Sequence, residues 1–149
     1  MNNGPPLPRK RIIIVNEDKG CSLRLADWLA AGGYEAVIVR NGGEALVLLK
    51  DMKPDLILLD LPVMHEMGAL RLIRAADAQL PVITMVEAAD CDLAVRSVEQ
   101  GASAFLLKPF KLQRLLRLLH IEIGEAERPV HGCGREALYS ENLRLEKVG

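Results

Sequence analysis

Short apolar runs alternate with longer amphipathic stretches along most of the chain. The runs are rich in Ile, Leu and Val and occupy residues 12–15, 35–39, 56–59, 81–86 and 104–107. Most are apolar nearly throughout, as strands buried on both faces are. Strands alternating with helices predict an α/β fold, and right-handed crossovers then predict a doubly wound, five-stranded parallel sheet with helices on both faces.

The stretches between the runs carry apolar residues at helical spacing. The i, i+3, i+4, i+7 pattern occurs three times, in Ala45, Leu48, Leu49 and Met52, in Ala69, Leu72, Ile73 and Ala76, and in Leu112, Leu115, Leu116 and Leu119. Each set predicts an apolar stripe packed on the sheet. A first helix is predicted to end at Gly32 and Gly33, and a fourth, near residues 92–100, at Gly101.

Two apolar residues of the last predicted helix lie off its stripe. Leu118 and Ile121 fall beside Arg114 and Arg117. An apolar surplus of this kind favours a protein interface. We therefore expect a possible homodimer through the fourth and fifth helices.

The two ends of the chain differ from the alternating part. Residues 1–10 are Pro-rich and predict a flexible segment, whereas residues 11–123 form the predicted domain. Residues 124–149 predict a Gly- and Pro-containing linker or a polar helical tail, which is too small for a second core. Such a tail is compatible with an output domain beyond Gly149.

Charge and cysteine content exclude several function classes. Lys and Arg number 19 and Asp and Glu 20, a net charge of -1, so bulk attraction to nucleic acid or anionic membrane is not expected of this domain. No apolar run approaches the roughly 18 to 20 residues of a membrane span, and we expect a cytoplasmic protein. Three cysteines without a close pair predict reduced thiols rather than a disulfide framework or a zinc site.

Polar side chains follow the predicted strands at their carboxyl ends. Asn16, Glu17 and Asp18 follow the first strand, Asp60 ends the third and Lys108 ends the fifth. Ligands of open α/β sheets bind at this edge, so we expect these side chains to converge. Taken singly, each acid is more often a turn or capping residue, and the lysine a solvated charge.

The grouping of these side chains favours a metal site and phosphoryl chemistry. Three neighbouring carboxylates repel one another unless a cation lies among them, and Mg²⁺ prefers such oxygen ligands. A carboxylate beside Mg²⁺ and opposite a lysine is suited to attack phosphorus and form an acyl phosphate.

Five segments carry a resemblance to a known family. They read IIIVNED, GGYEAVIVRNGGEAL, PDLILLDL with Gly68 eight residues after Asp60, LPVITMV, and GASAFLLKPF. In this order, from about Arg11 to Ile123, they resemble the motifs of response-regulator receiver domains, which have the flavodoxin-like fold of the chemotaxis regulators.

The resemblance implies a role for each matching position. Asp60 would accept a phosphoryl group from a histidine kinase or a phosphotransfer protein, and Lys108, before a usually cis Pro109, would contact the phosphoryl oxygens. Asn16 and Glu17 match the positions that hold Mg²⁺ together with the phosphoacceptor. Phe105 matches the aromatic residue that reports the switch.

Several positions depart from the family pattern. Asn16 replaces an acid, so it would hold Mg²⁺ weakly or through water. Val86 stands where a Ser or Thr would bond the phosphoryl group, and Glu87 adds a carboxylate beside it. Pro62 has no N–H to offer the phosphoryl group, although its backbone carbonyl can ligate Mg²⁺.

Two functions therefore remain open from the sequence. The first is a receiver domain that is phosphorylated on Asp60 with Mg²⁺ and signals by conformational change. The alternative is a degenerate receiver that docks partners without phosphorylation. We do not expect an enzyme, because apart from self-catalysed phosphotransfer and hydrolysis the crevice offers no second nucleophile or base.

Overall fold

Strands and helices alternate along the chain. The computed structural model describes residues 9–61 and 67–124. Its strands are β1 (Arg11–Val15), β2 (Glu35–Val39), β3 (Leu56–Asp60), β4 (Val82–Glu87) and β5 (Ala104–Lys108). Its α-helices are α1 (Lys19–Ala31), α2 (Gly42–Asp51), α3 (Gly68–Ala76), α4 (Cys91–Glu99) and α5 (Leu112–Ile123), with a 3₁₀ turn, Ala88–Asp90, before α4. The predictions for residues 1–8 and 125–149 fall outside the described residues.

The strands form one parallel sheet in the order β2-β1-β3-β4-β5. β1 lies between β2 and β3, with Ile13 level with Val37 on one side and Ile57 on the other. This arrangement confirms the predicted α/β fold class. It also brings the carboxyl ends of all strands to one edge.

Successive strand residues divide the core into two layers. Ile12 and Ile14 pack with side chains of α1 and α5, among them Leu25 and Leu119. The alternate residues of the strands pack with α2, α3 and α4 on the opposite face. The period-two alternation of a strand accounts for this division.

The stripe predicted for α3 is only partly correct: Ile73 is buried and Ala69 packs against the core, but the other two residues of the stripe do not. Leu70 and Ile73 are buried, whereas Leu72 is 54% exposed and Ala76 is also exposed. Met67, just before the helix, is buried as well, which extends the i, i+3 spacing to the true inner face. Apolar residues lie in both registers, so periodicity alone could not choose between them.

The apolar surplus predicted on α5 is also wrong. Leu118 is 1% exposed and belongs to the core beside Leu115 and Leu119. Ile121 is partly buried against the same core. The homodimer hypothesis therefore loses the observation on which it depended.

Arg74 joins the loops at the opposite end of the sheet from the predicted site. Its guanidinium donates to the carbonyls of Asp77, Ala78 and Leu80 at 3.1, 3.0 and 2.6 Å, and to that of Gly101 at 2.8 Å. Burial lowers the pKa of this guanidinium. Gly101 has φ +114, and a Cβ there would meet Arg74 Cγ at 3.2 Å, so this turn needs glycine.

Candidate functional site

The centre of the site is an ion pair between two strand ends. Asp60 is the last residue of β3 and Lys108 the last of β5, and the Lys108 ammonium contacts Asp60 Oδ1. The Asp60 side chain is 12% exposed and that of Lys108 30%. The Lys108–Pro109 peptide bond is cis. The lysine thus provides the counter-charge for a nearly buried carboxylate.

Glu87 lies beside the same ammonium. It ends β4 level with Lys108 of β5, and its Oε1 is 3.9 Å from Lys108 Nζ. The Glu87 side chain is 56% exposed, so this second pair is weaker than the first. The Lys108 ammonium therefore faces two carboxylates.

The loop after β1 is organised by hydrogen bonds to its own backbone. Buried Asn16 accepts from the Asp18 N–H through Oδ1 at 2.9 Å. Asp18 is the N-cap of α1, and its Oδ1 accepts from the Cys21 N–H at 3.2 Å. The bonds to the Cys21 N–H and thiol lower the pKa of Asp18. Asp18 is thus a capping residue of α1.

The Cys21 thiol is held in its protonated form. Its Sγ donates to Asp18 Oδ2 at 3.4 Å, and this bond is the main reason that the pKa of the thiol is raised. A thiol with a raised pKa is a poor nucleophile at neutral pH.

The expected convergence of three carboxylates is only partly correct. Asp60 lines a pocket at this edge together with Asn16, Glu87 and Lys108, whereas Glu17 and Asp18 are not among the described residues that line it. Glu17 is exposed. Within residues 9–61 and 67–124, no group of three His, Cys, Asp or Glu side chains is placed to hold a metal ion. Asp18 does not line the pocket with Asp60 because its carboxylate caps the N-terminus of α1.

The predicted switch positions are both buried. Val86 is 0% exposed and Phe105 is 2% exposed in the core layer beneath α4. Thr84, two residues before Val86, shares a 2.8 Å hydrogen bond with Ser97 of α4. The hydroxyl of β4 is therefore bonded to α4, away from the strand end. Pro62, predicted to offer its carbonyl to Mg²⁺, lies outside the described residues.

An aromatic wall extends the pocket along α1. Trp28 and Phe110 meet edge to face, with ring centroids 6.4 Å apart and planes at 75°. Together with Arg24 and Leu25 they line a cavity of about 330 Å³ that reaches Asp60 and Lys108. We call this cavity the α1 pocket. The α1 pocket was not predicted from the sequence, although the four-residue spacing of Arg24 and Trp28 places both on one face of a helix.

Comparison with known proteins identifies the family. The sequence model described as the response regulator receiver domain matches residues 12–120. The chain belongs to this family. The resemblance to receiver domains predicted from the sequence is therefore confirmed. The strand order and the position of Asp60 and Lys108 at one edge of the sheet agree with this family.

Curated relatives of this receiver domain are longer proteins. The DNA-binding response regulator MtrA of Mycolicibacterium smegmatis is 32% identical over 110 residues, which is 72% of this chain and 48% of that protein. The regulatory protein AtoC of Escherichia coli is 35% identical over 107 residues, 70% of this chain and 23% of that protein. The chain thus spans about half or less of these relatives.

Solved receiver domains share the whole described fold. The receiver domain of a signal transduction histidine kinase from Syntrophus aciditrophicus is 31% identical with a TM-score of 0.69, covering 80% of this chain and 94% of that one. A CheY-like receiver domain protein from Methanospirillum hungatei is 28% identical with a TM-score of 0.70, covering 79% and 96%. No helix in the described parts of this receiver domain is long and apolar enough to cross a membrane.

Proposed function

We propose that this receiver domain accepts a phosphoryl group on Asp60 from a histidine kinase or a phosphotransfer protein and signals by conformational change. The observation that carries the proposal is the Asp60–Lys108 ion pair at the carboxyl edge of the sheet. In this pair, the carboxylate of Asp60 would accept the phosphoryl group, and the ammonium of Lys108 would offset the negative charge of the phosphoryl oxygens. A cytoplasmic location is part of the same proposal.

The proposed transfer of a phosphoryl group to Asp60 changes no oxidation state and needs no oxidant or reductant. A carboxylate oxygen of Asp60 forms a bond to phosphorus while the phosphorus–nitrogen bond of the donor's phosphohistidine breaks. The electron pair of that bond stays on the donor imidazole, which then takes up a proton. Lys108 lies next to the acceptor oxygen and stabilises the added negative charge.

The oxygen donors near Asp60 fit a weakly held Mg²⁺. Asp60 supplies a carboxylate and Asn16 a neutral amide at the pocket, and Glu17 follows Asn16 in the same loop. Asn16 Oδ1 already accepts from the Asp18 N–H, so we expect Asn16 to contribute through water. Mg²⁺ bound by few protein ligands keeps several waters, and when bound it would neutralise charge on the phosphoryl oxygens.

A second candidate function is phosphorylation-independent docking. It is favoured by Val86, which has no hydroxyl for a phosphoryl group, and by Glu87, which already faces the Lys108 ammonium. In this case Asp60 and Lys108 would stabilise a fixed docking surface. In both cases we do not expect turnover of an external substrate.

A relative of this receiver domain is a longer protein with a named DNA-binding function. MtrA is a DNA-binding response regulator, and the matched region covers 48% of it. By analogy, we propose that a separate output domain performs the response and that this receiver domain does not bind nucleic acid itself.

Intact mass separates the two functions. The chain is incubated with acetyl phosphate and Mg²⁺, and Asp60→Asn is treated in parallel. Gain of one phosphoryl mass by the natural chain alone supports the phosphorylated receiver. If neither protein gains mass with acetyl phosphate or with a phosphorylated histidine phosphotransfer protein, the docking function replaces it.

A further inference from the structure

The α1 pocket is larger than the phosphoryl-transfer chemistry requires. Its volume of about 330 Å³ lies at the lower end of the range for pockets that bind small molecules. Its lining includes Asp60 and Lys108, but also residues of α1, among them Cys21, Leu25 and Trp28.

Part of the lining of the α1 pocket is aromatic and apolar. Trp28 and Phe110 form an edge-to-face pair, and both are only partly buried against the core. Leu25 and Pro109 line the pocket beside them. Two partly buried rings with planes at 75° offer a planar ligand both a stacking and an edge contact.

Arg24 adds one cation to the lining that contains Trp28 and Phe110. It lies four residues before Trp28 on α1, is exposed, and has no ion-pair partner within the described part of the chain. The Asp18 carboxylate interacts electrostatically with Arg24, but its two oxygens accept from the Cys21 N–H and thiol. Lys108 pairs closely with Asp60 and only weakly with Glu87, so Arg24 is the cation of the pocket lining that is left for an anionic ligand.

We propose that the α1 pocket binds a small planar aromatic anion. The ring system lies against Trp28 and Phe110, and the carboxylate or sulfonate of the ligand pairs with Arg24. The ligand contacts proposed here do not replace the Asp60–Lys108 ion pair, although both residues line the same pocket. A ligand here would lie beside Asp60 and change access to it.

The single tryptophan of the chain gives the proposal a direct readout. The probe is 1-anilinonaphthalene-8-sulfonate, which combines a planar ring system with one anionic group, and its uncharged relative N-phenyl-1-naphthylamine is titrated in parallel. We expect saturable quenching of Trp28 emission at one dye per chain, with energy transfer to each dye, and unchanged far-ultraviolet circular dichroism. Both dyes also bind partly unfolded chains, so the circular dichroism is part of the result.

Substitution of Arg24 tests the charge. Arg24→Gln is expected to weaken the sulfonate dye about fivefold, as for one exposed ion pair, and to leave the uncharged dye unaffected. Arg96→Gln is the matched control, because Arg96 is an exposed arginine of α4 on the opposite face of the sheet. The proposal is overturned by quenching that does not saturate, by equal effects of the two substitutions, or by loss of helical signal on dye binding.

Discussion

Three consecutive polar residues at the exit of β1 have different surroundings. Asn16 is buried and fixes the loop by accepting from the Asp18 N–H. Asp18 caps α1, whereas Glu17 is exposed. We therefore expect a single change in this loop to alter either the proposed Mg²⁺ affinity or the stability of α1, according to its position.

We expect Asn16→Asp to tighten Mg²⁺ binding about tenfold, because oxygen sites gain affinity with the charge of their ligands. The natural chain should bind Mg²⁺ weakly but measurably. Isothermal titration calorimetry on both proteins measures the difference. Asn41→Asp adds the same charge at the N-cap of α2 and is the matched control. Equal affinity of Asn16→Asp and the natural chain would remove Asn16 from the site.

The charge of Asp18 should make stability depend on pH. Because its folded pKa is lowered from 3.8, the unfolded chain binds more protons, and the stabilisation is fully present above about pH 4. It is lost as the pH falls through the lowered folded pKa. Asp18→Asn keeps a capping oxygen but removes this effect.

Urea midpoints of the natural chain and Asp18→Asn, measured from pH 7 to pH 2.5, test this prediction. The natural chain should be the more stable at pH 7, with the difference shrinking at low pH. Asp27→Asn removes one exposed charge from the same helix as a control. A difference that stays constant over the whole range would contradict the assignment.

At the scale of elements, α4 is tied to β4 by buried hydroxyls. Thr84 and Ser97 are both fully buried and bond each other at 2.8 Å, and Ser97 also donates to the Ala94 carbonyl at 2.7 Å. Thr84 has a further, long contact of 3.5 Å with the Ala104 carbonyl. This connection orients α4 on the sheet.

Removal of one hydroxyl should cost more than removal of both. Ser97→Ala leaves the Thr84 hydroxyl with its long contact alone, and we expect a loss of about 1 to 2 kcal/mol in the free energy of unfolding. Adding Thr84→Val should recover part of this loss, because no buried hydroxyl then lacks its partner. Urea denaturation of the two single variants and the double variant gives the coupling, and additive losses would count against the bond.

The elements were more predictable from the sequence than the site. Every predicted strand boundary agrees with the structure within one residue, because apolar runs buried on both faces have abrupt ends. The inner face of α3 was not predictable, since Leu70 and Leu72 are equally apolar. Nor was the α1 pocket, because it depends on contact between Trp28 and Phe110, which lie far apart in the sequence.

At the scale of the whole molecule, a structural change at Asp60, at the end of β3, would have to pass through the loop after β4 to reach α4. Val86 offers no hydroxyl to draw the loop after β4 toward a phosphoryl group. Phe105 is already buried, and the Thr84–Ser97 bond holds α4. We therefore expect a conformational change at Asp60 to reach α4 only weakly.

We expect beryllofluoride, a phosphoryl mimic, to perturb the surroundings of Asp60 but leave Phe105 in one rotamer. Amide chemical shifts and Phe105 ring signals, recorded with and without the mimic and Mg²⁺, measure this. Val86→Thr supplies the hydroxyl and should extend the shifts to α4. Shifts that already reach α4 and Phe105 in the natural chain would indicate an ordinary switch.

The position of β1 between β2 and β3 has a consequence for synthesis of the chain on the ribosome. β1 pairs with β2 on one side and β3 on the other, yet β3 ends only at Asp60. The second edge of β1 thus stays open while some forty residues are translated, a few seconds at roughly 5 to 20 residues per second. During this interval an apolar strand with unpaired backbone groups is exposed to association with other nascent chains. Slowed translation between β2 and β3 should therefore increase aggregation.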